Sequence, residues 1–399
     1  MMKNNILLLF LIFALSACTN QLKKPIDSTL PILDVTKEYP KKLIDIHEIA
    51  DVEYIPLETT DESVLSTMST AWKISDKFII LKDHGTIHIF DRKGKHLYKH
   101  CNIGQGPNEH GNFIFLFTVD FKDEEYYIYD RRKIQVYDFT GKWKRTLKIP
   151  EDMMYSSMFD YNEQYLIAYN LPFDYYNFEN PLDDKHPYYL IDKQDGTHVP
   201  LDITLNNIDK REFTETNNFI RACAIRMAFI TPILTNNHDI LIADYRLDTL
   251  YNYKEKELKA IAIQYPSVYG QKDKTPTIVG AVGYSDQYLF FKPVKMEYDS
   301  KHVHKPYIDA PLLMWDRNTN EIFNVQLFDS NIIEDKKTRI FMQLGRDIAF
   351  ETSNCFHNLY HAEALIEEYE AGNLKGELKD IASKLKYDDN EVCVICKLK

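Results

Sequence analysis

The sequence has no long apolar run beyond its first residues, no basic cluster and too few cysteines to staple a fold. Each shortage removes a class of protein. Past the N-terminus no stretch approaches the roughly 20 apolar residues that a membrane-crossing helix requires, so no transmembrane helix is expected. Lys and Arg number 48 against 60 Asp and Glu, a net charge of −12. With no basic run to release counterions from a phosphate backbone, nucleic acid is not an expected partner. Of six cysteines, setting aside Cys18 leaves five, an odd number without regular spacing, so no disulfide framework is expected. Cys393-Val-Ile-Cys396 has the spacing of a redox or metal motif. It lies, however, in a strand-like run, where positions three apart point to opposite faces, and reads as apolar strand cysteines. No nucleophile elbow, P-loop, dinucleotide fingerprint or zinc-helix motif is present, so local motifs predict no catalytic residue, metal or cofactor.

What is present begins with an export signal. Lys3 supplies the positive start, Ile6 to Leu15 form a short apolar run, and Leu15-Ser16-Ala17-Cys18 has the small residues and the cysteine of a lipoprotein processing box. The run is too short to span a bilayer of ~30 Å. The expectation is therefore a signal peptide over 1–17, lipidation of Cys18, and a polar, proline-containing tether over 18–40. Acyl chains contribute ~0.8 kcal/mol per buried CH₂, enough to hold the protein to a membrane. Residues 19–24, Thr-Asn-Gln-Leu-Lys-Lys, carry no acid. That favours an outer-membrane lipoprotein facing the periplasm over a surface-exposed one.

The remaining body, 41–399, is long enough for a sizeable core. Its 27 Tyr and 22 Phe favour strands over helices. Internal similarity is its most informative feature. Phe78-Ile-Ile-Leu-Lys-Asp83, a turn, then Ile87-His-Ile-Phe90-Asp91-Arg-Lys-Gly94-Lys95 is echoed by Tyr127-Ile-Tyr-Asp130, a turn, then Ile134-Gln-Val-Tyr137-Asp138-Phe-Thr-Gly141-Lys142. Each unit reads as strand, turn, strand, Asp-x-x-Gly turn, strand. Looser copies at Tyr165–Asp192, Asp239–Tyr253 and Tyr288–Asp316 give units near 65–100, 112–150, 155–205, 222–265 and 280–330. A repeat of roughly 45 to 55 residues with about four strands is that of propeller blades. A sixth unit must come from the two ends, Asp51–Leu57 pairing with Glu391–Leu398, which leaves no open edge in the ring. Ala362, Leu365, Ile366 and Tyr369, stopped by Gly372, and then Leu378, Ile381, Ala382 and Leu385, predict two short helices inserted in that last unit and packed on the core. The predicted fold is all-β, a six-bladed β-propeller closed by its N-terminal strand.

The lipobox at Cys18, Tyr54-Ile-Pro-Leu-Glu-Thr-Thr60, Gly104-Gln-Gly-Pro-Asn-Glu109 and the stretch from Leu365-Ile-Glu-Glu-Tyr through Asp388-Asp-Asn390 to Lys399 carry a more specific likeness. With these the chain resembles the six-bladed β-propeller lipoproteins of Gram-negative gut anaerobes, of NHL/TolB-like architecture. It departs from them at His110, where the family often has an aromatic, and at Glu391, where Pro commonly follows Asp-Asn. The resemblance implies the fold and no settled reaction.

Topology then indicates where a ligand would meet the chain. In a propeller the loops joining second to third strands, and one blade to the next, share a face around the channel mouth. On it fall His84, Arg131, Arg132, Arg246, the blade connection with Gln105, Glu109 and His110, and two long insertions carrying Tyr175 and Tyr176, and His302 and His304. Long loops in compact repeats are often functional, and aromatic and Arg side chains stack on sugars or grip peptides. Structural alternatives are equally concrete. Glu109 and Glu58 read as carboxylates tying down turns, and His302-x-His304 lacks the companions of a metal site. Two functions stay open: a binding or scaffold module for a glycan, peptide or protein partner, or a polysaccharide lyase or hydrolase using Glu, His and Arg groups on the same face. The second needs titratable groups converging within hydrogen-bonding reach.

Overall fold

The structure, a computed structural model, describes residues 29–66, 70–130, 132–151, 153–170, 186–201, 203, 231–236, 238–245, 247–268, 276–296, 310–333 and 354–399. The chain opens with β1 (Ile32–Asp34), β2 (Lys41–Asp45), a single-turn α1 (Ile46–Ile49) and β3 (Ala50–Pro56). Five blades follow in order. Blade 1 holds β4 (Thr70–Ile74), β5 (Phe78–Asp83), β6 (Thr86–Asp91) and β7 (His96–His100). Blade 2 holds β8 (Leu116–Asp120), β9 (Glu125–Asp130), β10 (Lys133–Asp138) and β11 (Trp143–Lys148). Blade 3 holds β12 (Tyr155–Asp160), β13 (Tyr165–Asn170), β14 (Tyr188–Asp192) and β15 (His198–Pro200). Blade 4 holds β16 (Ile233–Asn236), β17 (Asp239–Ile242), β18 (Thr249–Lys254) and β19 (Glu257–Tyr265). Blade 5 holds β20 (Thr277–Tyr284), β21 (Tyr288–Lys295), β22 (Leu313–Asp316) and β23 (Glu321–Phe328). The chain ends with β24 (Cys355–Tyr360), α2 (Ala362–Glu370), α3 (Gly376–Ala382) and β25 (Val392–Leu398).

The Asp-x-x-Gly signal becomes a turn with a defined mechanism. In blade 1 the Asp91 carboxylate accepts from the amides of Lys93 (2.8 Å) and Lys95 (3.0 Å), and Gly94 takes φ 81°. In blade 2 Asp138 accepts from Thr140 (2.9 Å) and Lys142 (3.1 Å), with Gly141 at φ 77°. Positive φ is cheap only without a Cβ, so the glycine marks where the strand reverses. Blades 3 and 5 repeat the device with Asp192 and Asp316, the latter using Asn320 at φ 59° in place of glycine.

Each sheet is buried on both faces, which explains the near-continuous apolar strands. In blade 1, Ile79, Leu81 and Phe90 pack against blade 6, while Ile80, Ile87 and Ile89 pack against Phe117, Val119 and Tyr126 of blade 2. The alternation is the period-two rule applied to a strand with two dry sides. Further clusters join blades 2 and 3, 3 and 4, 4 and 5, and 5 and 6, so the ring is continuous. Fully burying one such side chain stabilises by roughly 1.5–3 kcal/mol, and the interfaces supply most of the fold's driving force.

Closure follows the expected route. β3 pairs antiparallel with β25, from Pro56 opposite Val392 to Ala50 opposite Leu398, completing the sixth sheet with β24. α2 and α3 bury Leu365 and Leu378 in the cluster between blades 5 and 6, as the helical stripes predict. Cys393 and Cys396 point to opposite sides of β25, one into each flanking cluster. Part of the segment assigned to a tether is instead structured. Within it β1 runs parallel to β19 on blade 4, with Leu33 fully buried; β2, just beyond it at the start of the body, runs parallel to β23 on blade 5. Three or five residues are too few to show a period, so these outer strands left no trace in the pattern. None of the described helices is long and apolar enough to cross a membrane.

Candidate functional site

The loop-rich face is built from the turns after β5 and β9 and the connection between blades 1 and 2. His84 sits in the β5–β6 turn at φ 53°, side chain half exposed, and its carbonyl accepts from the Ile114 amide (3.0 Å). Gly85 lies so close to Asn112 that a Cβ would meet its carbonyl oxygen at 2.5 Å. Gln105 and Arg132 are exposed on the same rim. These three present side chains to solvent.

Two other sequence candidates are engaged in structure, Glu109 in the turn-tying role that was its alternative reading and His110 in the core. Glu109 turns back on its own loop, its carboxylate accepting from the Gly106 amide at 2.7 Å. A Cβ on Gly104 would fall 1.8 Å from that carboxylate, so the glycine exists to admit Glu109 and the space is already filled. Its carbonyl also receives Lys133 Nζ (2.9 Å) and Gln135 Nε2 (3.1 Å). His110 is 1% exposed, stacked on His100 with the two Nε2 atoms 3.1 Å apart. Its Nδ1 donates to the Gly111 carbonyl (2.8 Å), and burial holds it below the usual histidine value, hence neutral. Both serve the blade 1–2 connection. Arg131, Tyr175, Tyr176, Arg246, His302, His304 and Cys18 lie outside the described residues.

A cavity of about 350 Å³ opens at the opposite mouth, where the inner strands end in their first turns. Its wall takes Lys73 and Asp76 from blade 1, Thr118 and Phe121 from blade 2, Phe159 and Asp160 from blade 3, Thr235 and His238 from blade 4, and Cys355 and Lys397 from blade 6. Lys73 is buried, its ammonium 5.1 Å from the Phe159 ring centre and 5.9 Å from that of Phe117, a cation–π cradle. Beneath the blade 2–3 wall, Lys193 is 2% exposed and stands 2.5 Å from Asp120 and 2.6 Å from Asp160. One ammonium shared by two carboxylates divides their behaviour. The Lys193 hydrogen bond and two backbone amides hold Asp120 low against its burial, whereas burial dominates at Asp160 and pushes it up to about 6. Arg92 pairs with Glu53 at 2.8 Å on the other side. His238 Nδ1 donates to the Tyr161 carbonyl, tying the turns of blades 3 and 4 together. The hydroxyls of Ser75 and Thr118 accept from the amides of Phe78 (3.1 Å) and Asp160 (3.0 Å) and are engaged in structure.

This mouth offers donors, acceptors, both charges and aromatic surface in a space suited to a small polar ligand. Its residues sit at the ends of inner strands and not in the long loops where the sequence pattern would seat a ligand. A signal existed nonetheless: Asp120 and Asp160 close the inner strands of consecutive blades. Among the described residues, no group of three or more His, Cys, Asp or Glu side chains is placed to hold a metal ion.

The ring of six sheets, with a walled cavity at one mouth, makes the chain a β-propeller. It belongs to the family described as a domain of unknown function, DUF4934, matched over residues 29–397. The fold is shared with an inferred exported protein of Bacteroides fragilis, at 12% identity and a TM-score of 0.60, covering 92% of this chain and 99% of that one. A member of the DUF4221 family from Bacteroides vulgatus aligns at 9% identity and TM-score 0.46, covering 87% and 96%. No curated protein matches the chain.

Proposed function

We propose that this chain is an exported, lipid-anchored binding propeller that seats a small polar ligand, a saccharide unit or a short peptide end, in the cavity at the turn-side mouth. One observation carries this: strand ends from five blades converge on one 350 Å³ space with a cradled ammonium, a carboxylate of raised pKa and two aromatic rings. Rigid strand ends preorganise such groups better than loops do, so little ordering entropy is lost on binding. The catalytic alternative loses Glu109, whose carboxylate is committed to its own turn. The B. fragilis protein of like fold is described as exported, which supports an extracytoplasmic place for this one. Cys18 would supply the anchor, and a glycan, peptide or protein partner is the expected ligand.

The test is calorimetric titration of a panel of saccharides and short peptides. Asp160→Asn and Lys397→Ala should each weaken the ligand found by about tenfold or more, while His84→Ala and Arg132→Ala leave it unchanged. The reverse pattern would move the seat to the loop-rich face. Cys18→Ala should shift the protein out of the membrane fraction; retention there would remove the anchor.

A further inference from the structure

The joint that closes the ring contains an unusual pair of histidines. β3 passes into a segment, 57–66, that bridges blade 6 to blade 1. Asn390 holds it from one side, donating to the carbonyls of Glu58 (2.8 Å) and Ser63 (2.9 Å) and accepting from the Leu65 amide (2.9 Å). Blade 1 holds it from the other. The Glu58 amide donates to Gly94 (2.8 Å), the Glu58 carboxylate accepts from the His96 amide (2.9 Å), and Asp83 accepts from the Ser66 amide (2.9 Å) and hydroxyl (2.5 Å). Between these two anchorages on blade 1 lie His88 and His96, their ring centres 5.5 Å apart. His88 is 1% exposed and stacks on Phe90, which also meets His96 in an edge-to-face contact. His88 Nδ1 and His96 Nε2 are both buried without a hydrogen-bond partner. An uncapped nitrogen in a dry interface tolerates a neutral ring and penalises a charged one.

We propose that His88 and His96 form an acid-sensitive latch on the ring-closing joint, holding segment 57–66 against blade 1 while both rings are neutral and releasing it when they take up protons. Their surroundings set the response. His96 is the charged neighbour that weighs most against a proton on His88, and Lys99 on β7 opposes protonation of both rings, whereas at His96 the strongest charge is Glu58, which favours it. The facing acids are Asp83 for His88, and Glu58 and Glu62 on the segment itself for His96. Blade 6 packs Ile55, Leu57, Ile395, Leu359 and Cys393 into this interface, the thiol kept protonated by burial with a value near 12, and places a charge nearby, Glu53, against Arg92 of blade 1. A protonated His88 would also draw on Asp83, whose carboxylate is what anchors Ser66.

Burial, then His96, lowers His88 to about 4 in the closed joint, against ~6.5 for a solvated imidazole once it opens. The closed joint therefore keeps its full stability above ~6.5 and loses it as the pH falls toward 4. From His88 alone, the open fraction should rise roughly 30-fold between pH 7.5 and 5.0.

Hydrogen exchange of the full chain, corrected for intrinsic rates, reads this as the protection factor of amides in 57–66. In the wild type it should fall roughly 30-fold over that interval. In His88→Phe the fall should shrink to about threefold or less, with protection at pH 7.5 retained. His96→Phe, at a half-buried position, should also blunt it and decides the matter should His88→Phe fail to fold. His198→Phe, in blade 3, should leave it intact. A pH-independent wild type, or the full fall surviving in both His88→Phe and His96→Phe, would overturn the latch.

Discussion

The interface between blades 2 and 3 is pinned by a buried ammonium between two carboxylates and that between blades 5 and 6 by a single buried carboxylate, and the two differ in reach. At the first, the Lys193 ammonium sits between Asp120 and Asp160, and Lys193 and Asp120 are 73 positions apart in sequence. At the second, the Asp329 carboxylate, fully buried, accepts from Tyr54 OH (2.6 Å), Tyr360 OH (3.2 Å), His47 Nε2 (3.1 Å) and the Asn331 amide (2.9 Å). Tyr54 and Asp329 are 275 positions apart. The lysine joins neighbours that fold as consecutive repeats. The aspartate joins the end of the fifth blade to a strand from the start of the chain, so it can act only once the ring is nearly complete. A buried charge is costly in itself and is retained where its partners surround it.

Removing each centre separates the two designs. Lys193→Met leaves two carboxylates facing each other without their cation and should cost about 4 kcal/mol of stability, read by chemical denaturation. Adding Asp120→Asn should recover part of that loss, because only one carboxylate then lacks a partner; no recovery would mean the lysine acts by packing alone. Asp329→Ala should cost about 3 kcal/mol, from buried hydroxyls left unsatisfied, and should appear chiefly as faster unfolding because the contact forms late. An equal slowing of refolding would place closure early instead. Gly141→Ala disturbs neither interface. At φ 77°, with a Cβ directed at the Tyr98 hydroxyl, it should cost about 1 kcal/mol, detectable as a small drop in melting temperature.

Legibility in the sequence followed the range of the interactions. The five complete blades could be read because their evidence is local. Asp91 and Gly94, or Asp138 and Gly141, lie within one turn of each other, and the strands they join alternate visibly. The terminal strands Asp51–Leu57 and Glu391–Leu398 were legible as strands, and their union followed from the need to close a ring. β1 and β2 were not, since three to five residues show no pattern until a parallel neighbour is supplied. The candidate site divides in the same way. His84, Gln105 and Arg132 lie at exposed loop positions, and the turn-tying reading of Glu109 has its partner in the Gly106 amide, whereas the burial of His110 against His100 is a contact that no spacing rule reveals. Lys73, Asp160 and Lys397 were missed because nothing local distinguishes a strand-end residue facing a channel from one facing a neighbouring blade.

Composition, turn chemistry and period-two alternation were sufficient by themselves to determine five consecutive sheets, each specified within its own stretch of chain, and the sixth followed from the need to close the ring with the two ends. Only the tertiary structure decided which mouth holds a walled cavity, and which buried charges and imidazoles lock the joints. Those features depend on side chains brought together from distant blades, and their energies come from burial and mutual neighbourhood, which a linear order of residues does not encode.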